Sequence, residues 1–489
     1  MSSNSLLYEI NTRVWIKRFG QNKLLHEIPL EYWIDLHSKG FEFIWLMGVW
    51  QINPNTIEKY CFEEGLIQEY QNALPDWEKE DIIGSPYSIE DYIVSQNLGG
   101  NDSLTQLKEQ LNSIGLKLIL DFIPNHFSAE SNLIDATPEL FLQGTEEELN
   151  SDSKTYFKKN DRIFAHGKDP NFAAWQDTIQ INYFNNSARK IMLHKLDQIS
   201  ELCDGVRCDM AMLINNSIFA NTWKNNSSLQ KSKFPKNEFW SDAIQKIKNK
   251  KDFIIIAEAY WNTEWMLQEF GFDYTYDKRL LDRLKSENVT EIRSHLFADN
   301  NFQQKSIRFI ENHDEQRAAK IFSLEKHKAA AIIAYALPGL KLIHDGQFEG
   351  KQIRLPVQLG REPKEEINND TRNFYNKLLA IIRNDSFKIG NWKLLDTLRA
   401  WEGNYSNNNF LVWLWEYNSD QRIVIVNYSD QTSQCRIKFD VSLEKNEIKL
   451  VDLLDEMTYI RNISEIQTDG LYVELKAFQA HIFSIEKDS

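Results

Sequence analysis

Short apolar runs rich in Ile, Phe, Trp and Val recur from the N-terminus to about residue 385, and helical patterns fill the gaps between them. Eight runs have strand character: Leu7 to Ile16, Phe43 to Val49, Leu116 to Phe122, Gly205 to Asp209, Phe253 to Tyr260, Phe272 to Tyr276, Ile307 to Ile310 and Leu340 to Ile343. Between them, Ser103 to Ile114, Ser187 to Leu202, Glu238 to Lys248 and Glu325 to Leu337 space their apolar residues as amphipathic helices do. Parallel strands need crossover helices, and eight strand–helix repeats predict a closed (β/α)8 TIM barrel.

Two intervals are too long for ordinary strand–helix connections and predict lids or binding walls. One runs from Gln51 to Gly84; the other, Phe127 to about Phe184, carries Phe157, Phe164, Phe172 and Trp175 and predicts a small domain inserted over the barrel mouth. Beyond Gly390 the helical period ends. Strand-like runs such as Phe410 to Trp415, Arg422 to Tyr428, Ile448 to Leu453, Leu471 to Leu475 and Ala480 to Ile485 predict a C-terminal antiparallel β-sandwich. The expected division is therefore a barrel from residues 1–126 and 185–388, an inserted domain at 127–184 and the sandwich at 389–489.

Composition narrows the partners. The 489 residues carry 42% apolar side chains and 14 tryptophans, ample for a large core. A formal charge of -15 repels a phosphate backbone, so nucleic acid is excluded as a partner. Glu9, Arg13, Lys17 and Arg18 interrupt the first twenty residues, which predicts no secretory signal and a mature start near Met1. The most apolar stretch, Ala329 to Ile343, is broken by Pro338, Gly339 and Lys341 and predicts a buried helix and strand, not a membrane span. Cys61, Cys203, Cys208 and Cys435 lack paired spacing, which suits free thiols and a cytoplasmic location.

In a parallel barrel, reactive groups collect at the C-terminal strand ends, where the loops converge on one face. The polar residues here follow that rule: Asp121, Asn125 and His126 after the third strand, Arg207 and Asp209 at the fourth, Glu258 at the fifth, His313 and Asp314 at the seventh. A single carboxylate at such a place often caps a helix or forms an ion pair. Four carboxylates, an arginine and two histidines at the rims of four strands point jointly to chemistry.

The segments Asp121-Phe-Ile-Pro-Asn-His126, Gly205-Val-Arg-Cys-Asp209, Ala257-Glu258-Ala259 and Phe309-Ile-Glu-Asn-His-Asp314 resemble, in order and strand context, the four sequence regions of glycoside hydrolase family 13, the alpha-amylase family. Ser85-Pro-Tyr-Ser-Ile-Glu-Asp-Tyr92 resembles that family's tyrosine-bearing loop, and Gln180-Ile-Asn182 its short extra motif. The resemblance implies a retaining glycosidase acting on α-glucosidic bonds. Retention needs a carboxylate nucleophile and a carboxylic acid about 5 Å apart. Asp209 matches the nucleophile, Glu258 the general acid/base, and Asp314 the residue that grips ring hydroxyls. Arg207, two residues before Asp209, falls on the same strand face and can keep it ionised. His126 and His313 are implied as donors to the sugar and Tyr87 as a stacking platform. Trp261 is implied as a wall for the leaving-group sugar, with helix packing the competing reading. Asp121, Asn125 and Asp91 are expected to organise the surrounding loops.

The match also has departures. Where many alpha-amylases carry Lys-His after the nucleophile, this chain has Met212 and Leu213, so its acceptor-side contacts must differ. The histidine of that pair also offers calcium a backbone carbonyl; the expectation is therefore no required cofactor, with calcium admitted at Asn125. Ser88 stands where exo-acting α-glucosidases have an aspartate after the tyrosine, which leans away from strict exo action. The expected partner is an α-glucan or α-glucoside, without nucleic acid or membrane. A transglycosylase or a sucrose- or trehalose-directed enzyme uses the same residues. A non-catalytic carbohydrate-binding protein would lack the carboxylates that Asp209, Glu258 and Asp314 supply.

Overall fold

The computed structural model describes residues 4–440 and 446–486, so the ends of the expected barrel and sandwich segments at 1–3 and 487–489, and the sandwich residues 441–445, lie outside the described residues. Eight parallel strands form the barrel: β1 (Leu6–Asn11), β2 (Phe41–Met47), β3 (Lys117–Phe122), β4 (Gly205–Cys208), β5 (Ile254–Ala257), β6 (Tyr274–Tyr276), β7 (Ser306–Arg308) and β8 (Leu340–His344). Each pairs with its sequence neighbour and β8 closes on β1. Their side chains are buried on both faces, which is why they read as continuous apolar runs and not as alternating ones.

Two expected strands end three or more residues before their apolar runs do. The first ends at Asn11, and Thr12–Trp15 turns into helix while Val14, Trp15 and Ile16 stay buried. Apolar character persists through that change of backbone, so periodicity alone misses it. The fifth stops at Ala257, because Trp261 and Asn262 adopt φ of 58° and 65° and turn the chain out of the sheet.

The interval from Gln51 to Gly84 contains helices Pro54–Tyr60 and Glu64–Ala73. Cys61, Tyr70, Leu74 and Ile82 pack there with Leu359 from the loop after β8. Arg13 donates to the carbonyls of Ile83, Gly84 and Val357, and Arg361 grips Asp76 and Asp81, so the two loops form one wall beside the mouth. Between β3 and β4, His126–Ser128 pairs with Thr178–Gln180, and Tyr156–Lys159 with Arg162–Ala165. Phe127, Phe141, Phe164 and Ile179 of this insertion join the barrel's own apolar cluster. A segment of this size cannot bury a sufficient core alone and borrows that of the barrel.

The C-terminal part begins at β9 (Asn391–Leu394) and continues through β10 (Thr397–Leu398), β11 (Phe410–Tyr417), β12 (Asp420–Asn427), β13 (Ser433–Ile437), β14 (Glu447–Asp452), β15 (Thr458–Asn462), β16 (Leu471–Leu475) and β17 (Ala480–Glu486). A six-stranded sheet, ordered β9-β11-β12-β17-β14-β15, packs on a three-stranded sheet, β10-β13-β16. Strand β11 shows why the larger sheet is apolar throughout: Phe410, Val412 and Leu414 face the sandwich core, whereas Leu411, Trp413 and Trp415 face the barrel. Strand β15 exposes every second residue and β13 half-buries its polar Gln434 and Arg436, which hid both among polar turns. All four cysteines are buried and free, and no described helix is long and apolar enough to cross a membrane.

The two parts meet at the end of the helix Leu324–Ala336, buried throughout Ala329–Ala336, where the indole nitrogens of Trp413 and Trp415 donate to the Ala336 carbonyl at 3.0 and 2.8 Å. Those bonds satisfy an oxygen that the helix itself leaves unpaired. Trp415→Ala is expected to cost about 3–5 kcal/mol through the cavity left at this joint. It should appear as a lower unfolding midpoint by circular dichroism, with Trp415→Phe falling between.

Candidate active site

Strand register sets the geometry. Arg207 of β4 lies opposite Asp121 of β3 and Ile256 of β5, so Asp209 and Glu258 emerge one step further toward the mouth. Across the barrel, Glu9 of β1 lies opposite Trp45 of β2 and His344 of β8. The Arg207 guanidinium reaches all three neighbouring carboxylates: Nη1 donates to Asp209 Oδ1 at 2.8 Å and approaches Asp121 at 3.4 Å, while Nη2 makes a charge contact with Glu258 Oε2 at 2.8 Å. The rings of Trp45, Tyr87 and Tyr276 lie 5.1, 5.3 and 5.7 Å from its centre, a cation–π enclosure.

Glu258 also accepts from the Met210 amide at 2.7 Å and from the Tyr260 hydroxyl at 2.8 Å. Met210 adopts φ of 40°, a left-handed turn that aims its amide back at the carboxylate. Burial pushes Glu258 up to about 7; Arg207 opposes the shift, while Asp209 and Asp314 add to it. Burial raises Asp209 as well, again against Arg207. Of Asp209 and Glu258, Asp209 is the one that takes a hydrogen bond from the guanidinium, so a proton shared by the pair resides on Glu258. Burial likewise pushes Asp121 up to about 7.

His313 is held at both nitrogens. Nδ1 meets Glu9 Oε1 at 2.5 Å, and Nε2 lies 2.7 Å from the Tyr87 hydroxyl and 3.1 Å from Asp314 Oδ2. Burial disfavours its charge, yet Asp314 and Glu9 push His313 well above its ordinary value, leaving an imidazolium between two carboxylates. In return, although burial alone would raise Asp314, His313 holds it at about 2. Asp314 is half-exposed at the mouth. His313 therefore reaches a bound sugar only by exchanging a partner it already has.

Other expected residues lie around this centre. Tyr87 stacks on His313 with ring centroids 5.5 Å apart. His126 is buried against Trp175, and burial pushes it down to about 4, so it is a neutral imidazole. Asp91 pairs with Lys195 at 2.5 Å, and the Asp121 carbonyl accepts from Trp50. Trp261 is exposed in a turn before the helix Glu264–Glu269, which removes the helix-packing reading. Asn125 Oδ1 and carbonyl, with the Ile181 carbonyl, lie against the Gln180 amide nitrogen at 3.0, 2.9 and 3.1 Å. Met212 and Leu213 are buried in the core, and Ser88 donates to the Asp177 carbonyl at 2.6 Å, so none of the three faces the site as a polar group.

Glu9, Trp45, Tyr260 and Tyr276 went unrecognised in the sequence. Glu9 had a signal: a carboxylate inside an apolar strand run is costly unless paired. The three aromatics had none, since in apolar runs or beside Glu258 they are indistinguishable from core.

The family profile described as "Alpha amylase, catalytic domain" matches residues 30–393. Alpha-amylase 3 of Dictyoglomus thermophilum is 21% identical over 302 residues, 57% of this chain and 56% of the relative. Alpha-amylase 2 of the same organism is 24% identical over 327 residues, 60% and 51% respectively. The chain spans about half the length of these curated relatives. A maltogenic alpha-amylase structure from Thermotoga neapolitana shares the fold with a TM-score of 0.71 at 18% identity, covering 99% of both chains. So does cyclic alpha-maltosyl-(1→6)-maltose hydrolase from Arthrobacter globiformis, with a TM-score of 0.66 at 14% identity over 99% of this chain and 98% of that one.

Glu9→Gln removes one of the two anions that keep His313 charged. It is expected to lower kcat/KM on α-glucosides by about 10–100-fold, the range for a lost hydrogen bond to a charged group. Steady-state kinetics, with circular dichroism to verify folding, checks this.

Proposed function

The chain belongs to the alpha-amylase family, and from that premise we propose that it is a retaining glycoside hydrolase that cleaves α-glucosidic bonds of oligo- or polysaccharides. The observation that carries the reading is the single buried guanidinium shared by Asp209 and Glu258. Bridging one side chain's two nitrogens favours the close carboxylate spacing of retention over the roughly 6.5–9.5 Å of an inverting pair.

In the proposed reaction, Asp209 attacks the anomeric carbon as Glu258 gives its proton to the leaving glycosidic oxygen. The C–O bond to the leaving sugar breaks and an ester to Asp209 forms. Glu258, now a carboxylate, removes a proton from water; the hydroxide adds to the anomeric carbon and releases Asp209. Arg207 stabilises Asp209 as it departs, and Asp314, ionised by its contact with His313, grips the ring hydroxyls. Tyr87 forms the floor beneath the sugar. This chemistry needs no cofactor.

Because Met212 and Leu213 are withdrawn into the core, the acceptor side is assigned to Trp261 and Tyr260, beside Glu258. The wall built by Gln51 to Gly84 and the loop after β8 bounds the other side. The solved relatives named for maltogenic action and for hydrolysis of a maltose-based cyclic sugar favour short α-glucans as substrates. Hydrolysis is favoured over transfer by the relatives' names, alpha-amylases and a maltose-directed hydrolase. Four free buried thiols support a cytoplasmic setting.

Incubation with maltooligosaccharides, isomaltose, sucrose and trehalose, followed by product separation, tests the substrate and reaction type. Shorter maltooligosaccharides alone are expected; longer or isomerised products would establish transfer instead. Glu258 must carry its proton, so kcat/KM is expected to hold below about 7 and fall as pH rises through that value. At low pH it should fall again as Asp209 takes up a proton. Glu258→Gln should abolish the alkaline limb and slow turnover by about 10²–10⁴-fold.

A further inference from the structure

Away from the barrel mouth, an open groove of about 220 Å³ runs along the seam where the edge strand β15 of the large sheet faces the edge strand β16 of the small one. Strand alternation gives the groove two textures. Leu450, Leu471 and Val473 form an aliphatic floor that belongs to the sandwich core, while Tyr472 and Glu474, on the other face of β16, stand exposed at the rim. Tyr459 and Arg461 line the opposite rim, with the guanidinium 5.5 Å from the tyrosine ring.

At the inner wall sits His481, only 8% exposed. Its Nδ1 meets Asp452 at 2.5 Å, Asp452 accepts further from the Ile482 and Leu454 amides, and the imidazole stacks on Phe483 at 4.7 Å. That anchoring leaves Nε2 without a partner among the described residues, in a side chain that lines the groove. The Asp452 to His481 contact also argues against a cation shared with nearby Asp455, because both atoms are committed to each other by a hydrogen bond.

We propose that this groove is a second carbohydrate-binding site, one that holds glucosyl units of an α-glucan while another part of the same chain occupies the barrel. The inference rests on the α-glucan reading of the barrel site. Aromatic rings suit the apolar face of a pyranose, and Arg461, Glu474 and His481 Nε2 supply the donors and acceptors its hydroxyls need. Anionic ligands are disfavoured by Glu474 and Asp452 and by the overall charge of -15. Holding a polymer at a second point raises its effective concentration at the first without altering the chemistry there.

The test uses exposed residues, whose replacement spares the core. Full-length Tyr472→Ala and Glu474→Ala, each in a Glu258→Gln background that keeps the polymer intact, are run in native gels containing soluble starch. The Glu258→Gln parent should be retarded, and both variants should bind starch about fivefold or more weakly. In the background retaining Glu258, turnover of a short maltoside should be unchanged. The proposal is overturned if the parent is not retarded, if folded variants are retarded like the parent, or if a β-glucan retards the parent equally. Should the chain turn over no α-glucoside while the variants still lose starch retardation, the catalytic reading fails and the groove stands.

Discussion

One buried charge organises the molecule's mouth. Arg207 is 1% exposed, and a guanidinium so far from water is tolerable only if paired and hydrogen-bonded. Asp121, Asp209 and Glu258 supply anions, and three aromatic rings supply the remaining contacts. Three carboxylates around one cation leave an excess of negative charge in a medium that resists it. Burial foremost, with the neighbouring carboxylates adding to it, pushes Asp121 and Glu258 both up to about 7. The same electrostatics that make the site expensive also create a carboxylic acid able to donate near neutrality.

A second buried cation balances the far side. His313 takes its charge from Glu9 and Asp314 and returns it by keeping Asp314 ionised. The two cations divide the labour among five carboxylates, so that some stay charged and others hold protons. Such division depends on sub-ångström placement, and the barrel supplies it through register. Strand β4 starts at Gly205, where any Cβ would lie 2.6 Å from the Ile254 carbonyl oxygen. Only glycine lets β4 and β5 approach closely enough to bring Arg207 and Glu258 into contact.

Much of this was legible in the sequence, for identifiable reasons. The barrel announced itself because strands buried on both faces are apolar throughout and their helices keep one apolar stripe. Asp209, Glu258 and Asp314 stood out because polar groups ending such strands are conspicuous. Glu9 was hidden by its place inside a run whose backbone changes from strand to helix, and Tyr276 by its resemblance to core. Strands β13 and β15 escaped because a short strand with polar residues on one face is nearly as polar as a turn. The partner of Asn125 was hidden because Gln180, which hydrogen-bonds its Oδ1, is distant in sequence.

The turn after β5 shows how the site differs from the pattern it resembles. Trp261 and Asn262 both occupy left-handed backbone, a conformation that costs a bulky side chain of order 1 kcal/mol or more and persists only where surrounding structure enforces it. A relaxed turn would let the indole fold back into the core; instead it stands 39% exposed. In the short helical turn after the adjacent strand β4, Met212 and Leu213 are buried, and offer no polar contact after the nucleophile. Strain and exposure at 261 and burial at 212 and 213 are complementary. They move the proposed acceptor contacts from the loop after β4 to the loop after β5, from hydrogen bonds to an aromatic face. A ring face discriminates weakly among hydroxyl patterns, so such a site selects by shape.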